Sequence, residues 1–247
     1  MTYCVAMLLD TGLVFLSDSR TSAGVDHIST FRKTQVFQTR DRVIVLQSAG
    51  NLAITQAVLN LLREGIDDDA PQGHLQNAPN MFEAARRVGE ALREVHHHDA
   101  APLKDFGVEF NASLLLGGQI RGEAPRLFCI YPAGNFIEAM PDTTYFQIGE
   151  SKYGKPIIDR VIRRTSSLNE AAKCALISMD STIKSNLSVG LPLDLAIVKR
   201  DRFEVARHVS IDEDNAYFHG IRKRWGEALR EAFAELPDPD WLIDRTI

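Results

Sequence analysis

Cysteine is scarce in this sequence, and the little there is forms no pattern: Cys4, Cys129 and Cys174 are an odd set at long spacings, with no C-x-x-C pair. Such a set reads as free thiols, and a reducing, cytoplasmic home is expected. Long apolar runs are also missing. No stretch approaches the ~20 apolar residues that a membrane span requires, and the N-terminus reaches Asp10 without the basic and apolar segments of a secretory signal. Basic charge is thin as well: the net charge is -5, the pI is near 5.8, and no basic run exceeds Arg222-Lys223-Arg224. Counterion release, which drives nucleic-acid binding, therefore has little to act on, and neither a nucleic-acid nor a membrane partner is expected. Internal repeats and low-complexity tracts are absent too.

What the sequence does have is ordinary globular composition, 45% hydrophobic and 25% charged over 247 residues. A chain of that length buries roughly 70 to 75% of its unfolded surface, so its size calls for neither a disulfide nor a structural metal. A single domain over 1–247 is expected, with a C-terminal helical extension from about residue 212. Short apolar runs at Tyr3 to Leu9 and Leu13 to Ser17, split by Asp10-Thr11-Gly12, predict a hairpin at the very start. A polar loop from Arg20 to Thr30 leads to strands at Lys33 to Phe37 and Arg42 to Gln47, so four strands precede any helix. Helical spacing follows in Ile54, Val58, Leu61 and Leu62, then in Met81, Ala85, Val88, Leu92 and Val95, with a surface connection at 65–79 between them. Strands return at Ala112 to Leu116, Leu127 to Tyr131 and Thr144 to Ile148, with turns at Gly117-Gly118 and Pro132 to Asn135. Helices over Lys155 to Arg163 and Asn169 to Lys184 and a hairpin of Leu193 to Lys199 with Phe203 to Val209 complete the pattern. Strands in runs favour antiparallel sheets with helices on the outer faces, which gives an α+β class and a four-layer α/β/β/α sandwich.

His96-His97-His98-Asp99 invites a metal reading, but consecutive helical residues point about 100° apart and cannot converge on one ion. A solvated helix C-terminus is the better account, and no metal or cofactor is expected. Strand alternation makes Cys4 a buried neighbour of residue 2 rather than a nucleophile.

Thr2-Tyr3-Cys4-Val5-Ala6, Ser17-Asp18-Ser19-Arg20, Arg32-Lys33-Thr34, Ser48-Ala49-Gly50-Asn51, Gly149-Glu150-Ser151 and Met179-Asp180-Ser181-Thr182 occur in an order and spacing that resembles the proteasome β subunits and their bacterial relatives such as HslV, most of all the branch called Anbu. The likeness runs from Thr2 to about His208, with a shorter loop before Lys33 than the usual pattern. It implies the fold of the N-terminal nucleophile hydrolases and an amide or peptide hydrolase acting through an acyl-enzyme. Thr2, freed of Met1, would be the nucleophile and its own amine the base, since an α-amino group with an ordinary pKa of about 7.7 to 8.0 can take the hydroxyl proton. Lys33 would lower the basicity of that amine by placing positive charge beside it, and Asp18 would hold Lys33 charged and oriented. Gly50 would aim a backbone N–H at the oxyanion and leave room for substrate. Ser151 and Asp180 would hold the Thr2 amine and hydroxyl, together with one of Ser181, Ser185 or Ser188. A non-catalytic scaffold subunit is the alternative, for which Thr2, Asp18 and Lys33 together have no use. The resemblance also implies a homo-oligomer, ring or open spiral, acting on peptide or protein. An apolar stripe of Phe218, Ile221, Trp225, Leu229, Ala232 and Leu236, followed by Trp241, needs a surface to cover it.

Overall fold

The computed structural model describes residues 2–23, 27–64 and 75–242. The chain divides into two compact units, Met1–Glu213 and Asp214–Ile247. Twelve strands and five α-helices are found among the described residues. In the first unit β1 (Tyr3–Leu9) and β2 (Gly12–Asp18) form the opening hairpin, with Gly12 opposite Leu9. β10 (Tyr145–Gly149) flanks β1, and β11 (Leu193–Lys199) and β12 (Val205–Ile211) extend the other side, so one sheet reads β10-β1-β2-β11-β12. The second sheet is β5 (Thr34–Thr39), β6 (Arg42–Gly50), β7 (Ala112–Ile120), β8 (Arg126–Ile130) and β9 (Phe136–Glu138), in that order. Every pairing in both sheets is antiparallel.

The two sheets pack face to face. Cys4, Ala6, Leu8, Leu13 and Phe15 meet Val43, Val45, Leu115 and Leu127 in one buried cluster. α1 (Leu52–Glu64) and α2 (Met81–Asp105) cover the outer face of the second sheet through Ile54, Val58, Ala85, Val88 and Leu92 against Ile44, Leu46, Leu114 and Leu116. α4 (Leu168–Ser185) lies against the first sheet, where Tyr3 reaches its Ser178, and α3 (Lys155–Val161) packs beside α4, with Lys155 Nζ donating to the Tyr145 hydroxyl of β10. This is the four-layer α/β/β/α sandwich. It explains why β1 and β2 are unbroken apolar runs: with a layer on each side, both faces of a central strand are buried. α4 starts where Ser167 and Glu170 form a capping box, and α2 where the Asn80 side chain accepts the Glu83 N–H.

Five local expectations are corrected. Arg20–Ala23 and His27–Thr30 pair as a further hairpin, β3 and β4, where a loop was expected. In the 65–79 connection, residues 65–74 lie outside the described residues, but Leu75 and Ala78 are buried in the core rather than on the surface. Gly117 and Gly118 lie inside β7, and β9 follows β8 after the Pro132 to Asn135 turn. The last strand starts at Val205, after Asp201 and Phe203 with positive φ. The histidine triplet does not end its helix: α2 continues to Asp105 through Pro102, with His96 stacked edge-on to Phe110 and His98 3.0 Å from Glu94.

The second unit holds α5 (Ala216–Ala234), capped by Asn215, which accepts the Phe218 N–H, and a short 3₁₀ turn at Asp240–Leu242. No described helix is long and apolar enough to cross a membrane.

Candidate active site

Thr2 stands at the mouth of β1, and its main chain is held from two directions. Its carbonyl accepts the Glu150 N–H at 2.7 Å, and the N–H of the next residue, Tyr3, donates to Asp18 Oδ1 at 3.0 Å. Asp18 is the last residue of β2 and is fully buried. The same Oδ1 accepts from Lys33 Nζ at 2.7 Å, and Lys33 gives another hydrogen to the Arg20 carbonyl, also at 2.7 Å. Lys33, just before β5, is only 6% exposed. One carboxylate oxygen therefore ties the backbone beside Thr2 to a buried ammonium. Burial pushes the Asp18 carboxyl up from its ordinary value, while Lys33 and the N–H groups of Tyr3 and Gly190 pull it down.

A recess of about 820 Å³ opens here, lined among others by Thr2, Lys33, Ser48, Gly50, Asn111 and Gly149. Two glycines shape it. Gly50, at the end of β6, has φ +118°, and a Cβ there would sit 2.2 Å from the Asn111 carbonyl oxygen. Gly149, at the end of β10, has φ +79°, and a Cβ there would stand 1.9 Å from the Thr2 carbonyl oxygen. Only glycine lets these chains approach so closely.

Of the residues singled out from sequence, the structure brings Thr2, Asp18, Lys33 and Gly50 together. Ser151 is half-buried on the wall of a different recess, with Tyr145, Lys155 and Asp159, and Asp180 is buried in α4 with Lys184 Nζ 3.2 Å away. Neither lines the Thr2 recess. Among the serines left open, Ser181 donates back to the Ile177 carbonyl, Ser185 is exposed, and Ser188 lies in the turn that leads to Gly190. Cys4 is buried, with its thiol 3.7 Å from the Ser48 carbonyl, and burial pushes its ionisation far up. In the Gly149-Glu150-Ser151 motif only Ser151 was given a role from sequence; the glycine closing a strand was the signal for Gly149, and its place in that motif was the only one for Glu150.

Thr2 can act as a nucleophile toward a group held in the recess, provided its amine is free. Among the described residues no cluster of three or more His, Cys, Asp or Glu could hold a metal.

The proteasome subunit family model matches residues 2–198. Proteasome subunit beta 2 of Pyrobaculum calidifontis is 26% identical over 191 residues, which take in 77% of this chain and 85% of that protein. Proteasome subunit beta of Haloquadratum walsbyi is 24% identical over 164 residues, a match spanning 60% of this chain and 65% of that protein's length. Among solved structures, Anbu (ancestral beta-subunit) from Yersinia bercovieri is 57% identical over 96% of this chain and 99% of its own, with a TM-score of 0.89. The helical assembly of the Anbu complex from Pseudomonas aeruginosa is 48% identical over 98% and 100%, with a TM-score of 0.91. With a family model over most of its length and near-complete structural likeness at such identity, the chain belongs to the proteasome subunit family, among its Anbu members.

Proposed function

We propose that this chain is a threonine-type amide hydrolase in which Thr2, after loss of Met1, is the nucleophile. The observation that carries the reading is the shared Asp18 oxygen, which fixes Lys33 and the Tyr3 N–H together at the recess that Thr2 and Gly50 line. A free Thr2 amine takes the proton of Thr2 Oγ1 as that oxygen bonds to the scissile carbonyl carbon. The oxyanion formed is met by backbone N–H at Gly50, and collapse releases the amine product, which takes the proton back from the Thr2 ammonium. Water then cleaves the Thr2 ester, with the same amine as base. Lys33 holds positive charge near this amine and disfavours its protonation, which keeps more of it in the basic form. Substrate is a peptide or an unfolded protein segment, and self-assembly of the kind named for the Pseudomonas aeruginosa relative gives the recess its shelter.

Intact mass and peptide-library hydrolysis on the purified chain test the proposal. The mature mass should begin at Thr2, and Thr2→Ala should lose at least about 10⁴-fold in turnover with an unchanged melting temperature. Undiminished turnover in Thr2→Ala overturns the nucleophile assignment. Retention of Met1 blocks the amine and favours a scaffold subunit.

A further inference from the structure

We propose that Glu150 is the positioning residue for the α-amino group of mature Thr2, its buried carboxylate accepting a hydrogen bond from that amine while Asn186 steadies the other carboxylate oxygen. The inference rests on the reading above only in taking Thr2 as the first residue of the working protein.

Glu150 follows Gly149 where β10 ends, and its N–H already holds the Thr2 carbonyl at 2.7 Å. The antiparallel register pairs Tyr3 with Gly149, so the next step of the ladder sets Thr2 opposite Glu150. The side chain is 6% exposed. Its Oε2 accepts from Asn186 Nδ2 at 3.1 Å, whereas its Oε1 is buried and accepts no hydrogen bond, its one charged partner among the described residues being Nζ of the exposed Lys152, a loose ion pair at 3.9 Å. A buried carboxylate oxygen with no donor is costly, and such groups are kept where a ligand or a functional group completes them. With Lys152 too far to donate, an ammonium freed at residue 2, cross-strand from Glu150, supplies the hydrogen bond for which Oε1 has no other donor among the described residues. Asn186 caps the C-terminus of α4 and accepts the Ser188 N–H, and the turn it begins ends at Gly190, whose N–H faces Asp18. A single turn thus supports both Glu150 and the carboxylate that holds Lys33. Ser151, the next residue, faces away on the wall of the other recess.

Charge gives the test its sign. The charged groups on the elements about this strand end are Lys33 and Asp18, paired beside the Tyr3 N–H, and Lys152, 3.9 Å from Glu150 Oε1; on α4 the Asp180–Lys184 pair is engaged with itself, away from the Thr2 recess. A carboxylate accepting from the amine favours the ammonium form, so Glu150→Gln, which keeps an acceptor but removes the charge, lowers the amine's pKa by on the order of one unit. The experiment is the pH dependence of N-terminal acetylation by acetic anhydride, followed by mass spectrometry, on protein whose first residue is Thr2, obtained by fusion cleavage where needed. The titration midpoint should fall by about one pH unit in Glu150→Gln and be restored in Glu150→Asp. The acidic limb of kcat/KM should move with it. Equal midpoints in wild type and Glu150→Gln, whatever happens to overall stability, overturn the proposal. Should Glu150→Gln not fold, Glu150→Ser carries the same titration. Labelling is independent of turnover: a shifted midpoint in a chain without hydrolysis supports the role of Glu150 and defeats the hydrolase reading instead.

Discussion

Asp18 Oδ1 accepts two hydrogen bonds at once, from a backbone N–H and from an ammonium, and both donors are buried with it. Removing one partner of such a pair leaves the other charge uncompensated, at about 3–5 kcal/mol. Lys33→Ala should therefore do two things: lower kcat by about 10²- to 10⁴-fold with little change in KM, and lower stability by about 3–5 kcal/mol in denaturant unfolding. A raised KM with unchanged kcat would make Lys33 a binding residue. The cysteines give a separate check. Burial pushes Cys129 up to about 11 and Cys174 up to about 12, and Cys4 higher still, so all three thiols are protonated at neutral pH. Alkylation by iodoacetamide at pH 8 should be slow in the native protein and complete in denaturant, and fast native labelling of Cys4 would revive it as a nucleophile. At this scale Thr2, Asp18, Lys33 and Gly50 were picked out by the resemblance of the motifs that carry them, and they come together because each sits at a strand end. Glu150 stood in such a motif without a role, because the left-handed turn at Gly149 redirects the chain and spacing alone does not say which of the next two side chains turns inward.

Elements were legible where one period dominates. The apolar runs of β1, β2 and β6 and the stripes of α1, α2 and α4 are read directly, since both faces or one broad face are buried. Glycine misled the reading at Gly117 and Gly118, which mark close approach rather than a turn: a Cβ at Gly117 would be 2.8 Å from the Phe15 ring, and one at Gly118 would be 2.1 Å from the Val43 carbonyl oxygen. The β3–β4 hairpin has too few apolar residues to show against the loop chemistry around it. Gly149→Ala tests how far an element end controls the site. Positive φ and a contact of 1.9 Å with the Thr2 carbonyl oxygen leave no room for a methyl group, so a loss of about 2–4 kcal/mol is expected, with hydrolysis falling further than stability because Thr2 itself is displaced. Thermal melting and turnover on the same preparation separate the two; equal wild-type turnover in Gly149→Ala would show that Thr2 needs no such clamp.

At the scale of the molecule, the four layers follow from strands in runs and helices in pairs, whereas assembly depends on surfaces that periodicity alone cannot assign. The second unit begins at Asp214, and its α5 carries Leu229 and Phe233 exposed, with Leu236 and Trp241 exposed beyond it. Trp241 is 79% exposed and Phe233 78%, and large aromatics at such exposure are characteristic of surfaces that a partner covers. Under the self-assembly proposed above, the partner is a second copy of this chain, and head-to-tail contacts between copies can repeat without having to close. Full-length protein at micromolar concentration should therefore scatter light as an oligomer, and a chain ending at Glu213 should scatter as a smaller species while keeping the cooperative melt of the first unit. A full-length monomer would refute self-assembly. An unchanged oligomer after truncation would move the interface onto the first unit, and Phe233→Ser with Trp241→Ser in the intact chain would then leave its size unaltered, whereas a tail interface predicts that the same pair of changes weakens association by roughly 10²- to 10³-fold, the effect of losing two aromatic anchors each worth on the order of 2 kcal/mol.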